Sequence, residues 1–381
     1  MTHTTPDRRV LLDNGGHAPW HPLAREAFVR ALDDGWADPR RLHAEGRRAA
    51  ALLDGAREAV AAALGARTEE VVFTANHTAS LHTAVAALAG ARHRTGRRVV
   101  VGAVERAAVL HAAEHGGLER EVVGVDGSGR VDAAEMTDAV GRPGVALAAL
   151  QAANGEVGTR QPVAAVHEAA RRAGVPLLVD AGAPLGRGVV PAPGAALAAA
   201  RGGGGGGGGI GVLAVRSRVR RRSPFPEDAD PWAPGGVSVP AAFAAAVSLQ
   251  AVLADRDAQD ARRRALVDRV RARVAQIPDV EVVGDPVDRL PHVATFSFLY
   301  VDGEALLTDL DREGVAVGSG SACTSSSLEP SHVLAAMGVL THGNVRVALD
   351  RSTTEDDVER LLAALPDAVA RVRAALGVQG L

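Results

Sequence analysis

The only cysteine of this chain, Cys323, lies within residues 318–330, which read G-S-G-S-A-C-T-S-S-S-L-E-P. A cysteine in a polar segment rich in glycine and serine is suited to act as a nucleophile through its thiolate. The alternative is an inert small side chain, which the polar surroundings disfavour. One cysteine cannot form an internal disulfide, a composition typical of proteins from a reducing compartment.

The chain contains no lysine, because all 42 residues counted as Lys plus Arg are arginines. Arginine does not replace a lysine amine, since a guanidinium stays protonated and forms imines poorly. A bias toward small residues and arginine explains part of the absence, but a lysine required for catalysis should survive such a bias. We therefore expect no chemistry that depends on a lysine side chain.

Short apolar strands alternate with alanine-rich helices through the first part of the chain. This alternation predicts an α/β fold with a mostly parallel sheet and helices on both faces. Ligands of such sheets bind beyond the carboxyl ends of the strands. Asp180, Asn154 and residues 74–78 each follow a predicted strand, so we expect them to lie at one crevice. The predicted strands are residues 71–74, 99–101, 122–125, 145–150, 177–179 and 210–215.

The pattern changes after about residue 240. Residues 241–274 predict one long helix or two consecutive helices, and residues 354–376 predict a helix with a break or kink at Pro366. Short predicted strands lie between these helices. We therefore predict a large α/β domain at residues 10–245 and a smaller α+β domain at residues 246–381, with the extreme N-terminus packing near the smaller one.

Charge and hydropathy disfavour two classes of partner. A net charge of -3 gives no overall field that would attract nucleic acid or an anionic membrane. The basic run at residues 216–222 is local; we interpret it as a solvated strand end or loop, with a phosphate or RNA contact as the alternative. The sequence shows no signal-peptide layout and no apolar run long enough to span a membrane. We predict a cytoplasmic protein without a metal site.

Eight consecutive glycines occupy residues 202–209. Such a run forms regular structure only at a large entropic cost, which favours a flexible surface loop. The alternatives are a nest of backbone amides that binds an anion and close packing of one loop against another.

Residues 318–330 resemble the active-cysteine loop of the cysteine desulfurases of aminotransferase class V, closest to the bacterial iron–sulfur and tRNA-thiolation type. Other segments agree with that family in order and spacing, so the resemblance covers nearly the whole chain. It implies the pyridoxal phosphate (PLP) transferase fold type I, and a homodimer with its sites at the subunit interface. The further matching segments are residues 12–14 (L-D-N), 71–74 (V-V-F-T), 154–158 (N-G-E-V-G), 179–181 (V-D-A) and 345–349 (V-R-V-A-L).

The resemblance also implies the roles of five residues around PLP. Asp180 matches the acid that keeps the pyridine nitrogen protonated, and Asn154 the amide near the ring oxygen and substrate carboxylate. Thr78 matches the hydroxyl that binds the phosphate. Arg346 matches the guanidinium that grips the substrate carboxylate, and Cys323 the thiolate that becomes a persulfide.

Each of the four residues that the resemblance assigns to cofactor and substrate contacts has a purely structural alternative. Asp180 would then cap a turn, and Asn154 would be a turn residue before Gly155. Thr78 would be a helix N-cap, and Arg346 a partner in a structural salt bridge.

The same resemblance fails where the family forms its internal aldimine. The PLP-binding lysine falls at Gly203, and two residues that hold the phosphate fall at Gly202 and Ala200. The ring-stacking histidine falls at Arg106. Further departures are Ala183 in place of a glutamine and Gly235 in place of an arginine, while Ser238 keeps a hydroxyl. At most, we expect PLP to bind without a covalent bond.

Three functions remain open on these grounds. The first is a degenerate desulfurase-like protein that accepts sulfur as a persulfide on Cys323 from a true desulfurase, or serves as a scaffold for a sulfur-acceptor protein, in iron–sulfur or tRNA and thio-cofactor pathways. The second is a PLP-dependent desulfurase or lyase of altered mechanism with non-covalent PLP. The third is a non-catalytic structural or regulatory dimer partner.

Overall fold

The computed structural model describes residues 9–188, 190, 194–200, 209–226, 230, 232–320 and 330–377. Its largest sheet has seven strands in the order β2-β8-β7-β6-β5-β3-β4. β8 runs antiparallel to both of its neighbours, whereas the other pairings are parallel. The strands are β2 (Val71–Thr74), β3 (Arg98–Gly102), β4 (Glu119–Val123), β5 (Val145–Gln151), β6 (Leu177–Asp180), β7 (Ala196–Ala200) and β8 (Gly211–Val215). The predicted mostly parallel sheet is present, although β4 begins and ends earlier than the predicted strand at residues 122–125.

Helices cover both faces of this sheet because successive side chains of a strand point to opposite faces. On β3, Val99 and Val101 pack with α3 and α4, whereas Val100 packs with α5 and α6 on the other face. α2 and α7 cover the sheet at β2, β7 and β8. The helices are α1 (Pro22–Asp34), α2 (Ala44–Leu64), α3 (His77–Gly90), α4 (Ala107–His115), α5 (Ala133–Gly141), α6 (Val163–Ala173) and α7 (Val239–Ala254).

A second core lies around a three-stranded antiparallel sheet of order β12-β10-β9. Val10 and Leu12 belong to this core, and β1 (Val10–Leu11) pairs in parallel with β11 (Val315–Ala316). The remaining elements are α8 (Arg256–Val274), β9 (Val280–Val283), β10 (Val293–Phe298), α9 (Gly303–Arg312), α10 (His332–Met337), β12 (Asn344–Ala348) and α11 (Glu355–Ala375).

The stretch predicted as one helix or two is two helices, α7 and α8, which meet at Asp255 with a bend of 73°. Residues of α7 belong to the core of the large sheet and residues of α8 to the second core. The change of core therefore occurs at this bend, while the predicted boundary between residues 245 and 246 stays a prediction. Within the described ranges no single helix is long and apolar enough to cross a membrane; only the bent α7–α8 pair meets that test, by length and composition.

Helix α11 continues through Pro366 without a break. Proline removes one backbone hydrogen bond from a helix interior. Buried side chains on both sides of it, including Leu362, Leu365 and Val369, hold this helix against the second core. Packing therefore outweighs the local cost at Pro366; the predicted break is wrong, and the alternative of a kink stays a prediction.

Candidate functional site

The carboxylate of Asp180 is the centre of a buried charge cluster at the carboxyl end of β6. Asp180 is 4% exposed. His77 Nε2 lies 2.9 Å from Asp180 Oδ1, and Arg106 Nε donates to Asp180 Oδ2 at 3.0 Å. The backbone N–H of Gly182 donates to Oδ1 at 2.8 Å. Both carboxylate oxygens therefore have partners within the protein.

Three segments bring these side chains together because each begins or ends at the same edge of the sheet. Asp180 ends β6, His77 is the first residue of α3, and Arg106 directly precedes α4. Asn76 caps α3 by accepting the N–H of Ala79 at 2.8 Å. The loop at residues 74–78 and Asp180 do meet, as the predicted sheet requires.

The neighbours Arg106 and His77 determine the ionisation of Asp180. Burial by itself would raise the pKa of this carboxyl group, but the charges of His77 and Arg106 and the hydrogen bonds to His77 and Gly182 outweigh it and hold the pKa well below its usual range. Asp180 is therefore ionised, and its oxygen accepts the proton of His77 Nε2. Nδ1 of His77 is buried and has no hydrogen-bond partner among the residues described.

Glu105 lies beside this cluster and carries a proton near neutral pH. It is 1% exposed. Burial and the negative charge of Asp180 together raise its pKa from 4.5 to about 8, against the opposing hydrogen bonds of the Gln151 and Arg106 amides and the charge of Arg106. The N–H of Gln151 donates to Glu105 Oε1. A neutral acid therefore lies next to an ionised one.

Asn154 makes the turn that its structural alternative predicted. Its Oδ1 accepts the backbone N–H groups of Glu156 and Val157 at 2.8 and 2.9 Å. Its Nδ2 donates to the carbonyl of Val104 at 3.1 Å. The side chain is 3% exposed, and a contact with PLP or substrate stays a prediction.

Thr78 is the second residue of α3 and is exposed. The N-cap of that helix is Asn76, so the alternative in which Thr78 is the cap is wrong. Its proposed contact with a phosphate stays a prediction.

Arg346 lies on β12 and forms a salt bridge with Asp13 from the L-D-N segment, with Nη2 and Oδ1 separated by 3.1 Å. The backbone of Arg346 exchanges two hydrogen bonds with Gly318, at 3.0 and 2.8 Å. Its Nε is buried without a hydrogen-bond partner in the described part of the chain. The structural salt bridge is thus present, and binding of a substrate carboxylate stays a prediction.

Several residues singled out from the sequence lie outside the described residues, namely Cys323, Gly202 and Gly203. Of the other departures, Ser238 caps α7 by accepting the N–H of Ala241 at 3.4 Å. Gly235 has a φ of 83°, a conformation that favours glycine.

Neither His77 nor Glu105 was singled out from the sequence as a functional residue. Their positions could have indicated a role, because both residues follow strands of the large sheet, β2 and β3, at the edge where Asp180 lies. The pairing itself depends on how the N-termini of α3 and α4 approach β6.

This chain is similar to known proteins over both of its hydrophobic cores. The aminotransferase class-V family model matches residues 10–361. A cysteine desulfurase of Cereibacter sphaeroides is 36% identical over 385 residues, covering 96% of this chain and 97% of that protein. A NifS-like protein of known structure has a TM-score of 0.86 at 23% identity, covering 97% of this chain and 99% of that chain.

A second solved structure, DndA from Streptomyces lividans, has a TM-score of 0.74 at 28% identity and covers 91% of this chain and 99% of that chain. The family match and the NifS-like structure confirm the predicted fold class, a PLP-transferase type I fold with a mostly parallel central sheet flanked by helices.

Proposed function

Because this chain belongs to the aminotransferase class V family, we propose that it acts in sulfur transfer by carrying sulfur as a persulfide on Cys323, without the PLP chemistry of a complete cysteine desulfurase. One observation carries this proposal: a chain that matches cysteine desulfurases over nearly its whole length contains no lysine. The near-intact cysteine segment at residues 318–330 supports retention of the thiol function.

The residues around Asp180 do not fit PLP in the way that the family resemblance implies. That fit would place the pyridine nitrogen beside an oxygen of Asp180, but each oxygen is already engaged by a side chain of the protein, Oδ1 by His77 and Oδ2 by Arg106. It would also need a lysine for covalent attachment. No step of the proposed reaction therefore passes through PLP.

The proposed step is an exchange between two sulfur atoms. The Cys323 thiolate attacks the terminal sulfur of a persulfide on a donor protein and forms a new sulfur–sulfur bond. The original sulfur–sulfur bond of the donor breaks, and the donor cysteine leaves as a thiolate that takes up a proton. The sulfane sulfur changes partner without an external oxidant or reductant.

This function implies a sulfur donor, such as an active cysteine desulfurase, and a sulfur-acceptor protein. We also propose a homodimer. A 420 Å³ cleft between α1, α2 and α7 supports this proposal, together with Trp36 and Leu42 of the segment that joins α1 to α2, which are 67% and 89% exposed. Apolar and charged residues line the cleft, namely Leu23, Ala27, Ala31, Leu52, Phe243 and Val247 together with Glu26, Arg30 and Asp34. A cytoplasmic location stays a prediction.

The proposal is tested by incubating the protein with an active cysteine desulfurase, PLP and cysteine, followed by mass spectrometry of the intact chain. We expect an added sulfur on the wild-type protein that dithiothreitol removes, and none on Cys323→Ser. Absence of the sulfur adduct on the wild-type protein overturns the proposal and favours a scaffold role. Alanine and persulfide formation by this protein without the desulfurase would instead favour a PLP enzyme of altered mechanism.

A further inference from the structure

Arginines from two segments of the chain form a basic surface at the end of helix α3. The first segment lies between α3 and β3, and the second follows β8. The backbone N–H of Arg222 donates to the carbonyl oxygen of Ala87 in the last turn of α3 at 3.0 Å, so the two segments are adjacent. Val219 also packs against the core cluster that α3 forms with the large sheet. The basic surface consists of Arg92, Arg94, Arg218, Arg220, Arg221 and Arg222.

The charge of the basic surface is not compensated by the residues around it. Arg92 is partly buried, and the other five arginines are exposed. Within the described ranges none of the six pairs with a carboxylate, whereas Arg216, at the start of the same run, forms a salt bridge with Glu70 at 2.9 Å. Two acids that follow in the sequence, Glu227 and Asp228, lie outside the described residues. Even if each of them neutralises one arginine, four positive charges remain.

Two aromatic side chains adjoin these arginines, in a chain with only 3% aromatic residues. Cζ of Arg221 lies 5.5 Å from the centre of the Trp232 ring, a cation–π contact that restrains this guanidinium group. Phe225 is 39% exposed, and its backbone N–H donates to the hydroxyl of Ser223 at 3.2 Å. Nucleic-acid bases stack on aromatic rings and on guanidinium planes. Groups that bind phosphates and groups that stack on bases therefore lie side by side.

We propose that the basic surface binds single-stranded nucleic acid through its phosphates, with bases stacked on Phe225 and Arg221. A guanidinium group donates two parallel hydrogen bonds to one phosphate. Protein–protein interfaces contain few charged residues at their centres, whereas nucleic-acid interfaces are much more positively charged. A surface formed almost entirely by arginines therefore favours nucleic acid over an acidic protein.

This proposal takes up the phosphate or RNA contact that the sequence left open for residues 216–222. The net charge of -3 provides no overall attraction for a polyanion, so binding depends on this local surface. It does not depend on sulfur transfer by Cys323.

Fluorescence anisotropy with a labelled oligouridine of about 20 nucleotides tests the proposal. Each phosphate contact with a single strand contributes about 0.7 to the slope of log affinity against log salt concentration. Four contacts therefore predict binding about fiftyfold weaker in 200 mM NaCl than in 50 mM NaCl. An oligothymidine of the same length distinguishes RNA from DNA; binding of either strand supports the proposal, and the tighter one identifies the class.

A variant in which four arginines of the second segment become glutamine tests the surface itself. We expect it to bind oligouridine at least about tenfold more weakly than the wild type and with a smaller salt slope, because the phosphate contacts are lost. The four changes are Arg218→Gln, Arg220→Gln, Arg221→Gln and Arg222→Gln.

The control for this variant loses the same charge from exposed arginines of α1, β4, α6 and α9 and should bind like the wild type. Its four changes are Arg25→Gln, Arg120→Gln, Arg172→Gln and Arg312→Gln.

Phe225→Ala tests the stacking contact. We expect affinity to fall about tenfold with an unchanged salt slope, because base stacking involves no phosphate contact. Tyr300→Ala is the matched control, since Tyr300 is an aromatic residue that is 52% exposed between β10 and α9, and it should leave affinity unchanged. Unchanged affinity in Phe225→Ala overturns the stacking part of the proposal.

Equal affinities of the fourfold variant and its control overturn the proposal. Wild-type binding that is absent in 50 mM NaCl, or that does not weaken with salt, also overturns it, and these measurements decide even if the fourfold variant does not fold. Polyglutamate that displaces the labelled strand as effectively per charge as unlabelled oligouridine overturns it in favour of an acidic protein.

Discussion

Arg106 donates its Nε–H group to Oδ2 of Asp180 at 3.0 Å. By family resemblance, Arg106 stands where a ring-stacking histidine is expected and Asp180 where the partner of the pyridine nitrogen is expected. The ion pair therefore joins two positions that the family resemblance assigns to contacts with PLP. Together with His77 on the other oxygen, it satisfies the acid within the protein.

This ion pair predicts that Arg106 weakens the binding of PLP. Replacing it by histidine frees Oδ2 of Asp180, so we expect Arg106→His to bind added PLP at least about tenfold more tightly, because a hydrogen bond to a charged group becomes available. Visible absorption and circular dichroism during a PLP titration measure this affinity. Arg120→His, at an exposed arginine of β4, is the control. Equal affinities of Arg106→His and the wild type contradict the prediction.

The raised pKa of Glu105 predicts that the folded protein loses stability as the pH rises. Its pKa is about 8 in the folded protein, compared with an ordinary value of 4.5, so the folded state binds this proton more tightly. The stabilisation is fully present below pH 4.5 and is lost as the pH rises toward 8, with an upper limit of roughly 5 kcal/mol.

Urea unfolding at pH 5, 7 and 9 measures this effect. Glu105→Gln cannot ionise, so its free energy of unfolding should fall less than that of the wild type between pH 5 and pH 9. Glu119→Gln, at an exposed glutamate of β4, should follow the wild type. The same pH dependence in Glu105→Gln and the wild type would count against a buried, protonated Glu105.

Trp36 predicts where two copies of the chain meet. It is 67% exposed in the segment that joins α1 to α2, two of the three helices that form the cleft, and tryptophans that become buried at interfaces contribute strongly to binding. We expect Trp36→Glu to raise the dimer dissociation constant at least about tenfold, measured by analytical ultracentrifugation. Val122→Glu is the matched control on β4, where Val122 is 53% exposed. A dimer unaffected by Trp36→Glu rules out this face as the interface.

The sequence alone predicted which segments meet at the site because sheet topology determines that meeting. Asp180 and residues 74–78 follow strands of the same sheet, and the structure brings them into contact. The sequence could not predict that His77 and Arg106 would share the oxygens of Asp180. That pairing depends on the orientation of two helix N-termini, which no local pattern specifies.

For a similar reason, the sequence did not determine whether residues 241–274 form one helix or two. Asp255 lies at the bend, and Arg351 holds both of its carboxylate oxygens at 2.6 Å. The two residues are 96 positions apart. Local helix propensity favours either one helix or two, and this distant ion pair supports the bent arrangement.

The central claim is that Cys323 receives sulfur that another protein mobilises. Peptide mass spectrometry of Cys323 tests it directly in two arms, one with cysteine and PLP alone and one with an active cysteine desulfurase added. We predict a persulfide on Cys323 only in the second arm. A persulfide together with alanine in the first arm, or no persulfide in either arm, contradicts the account.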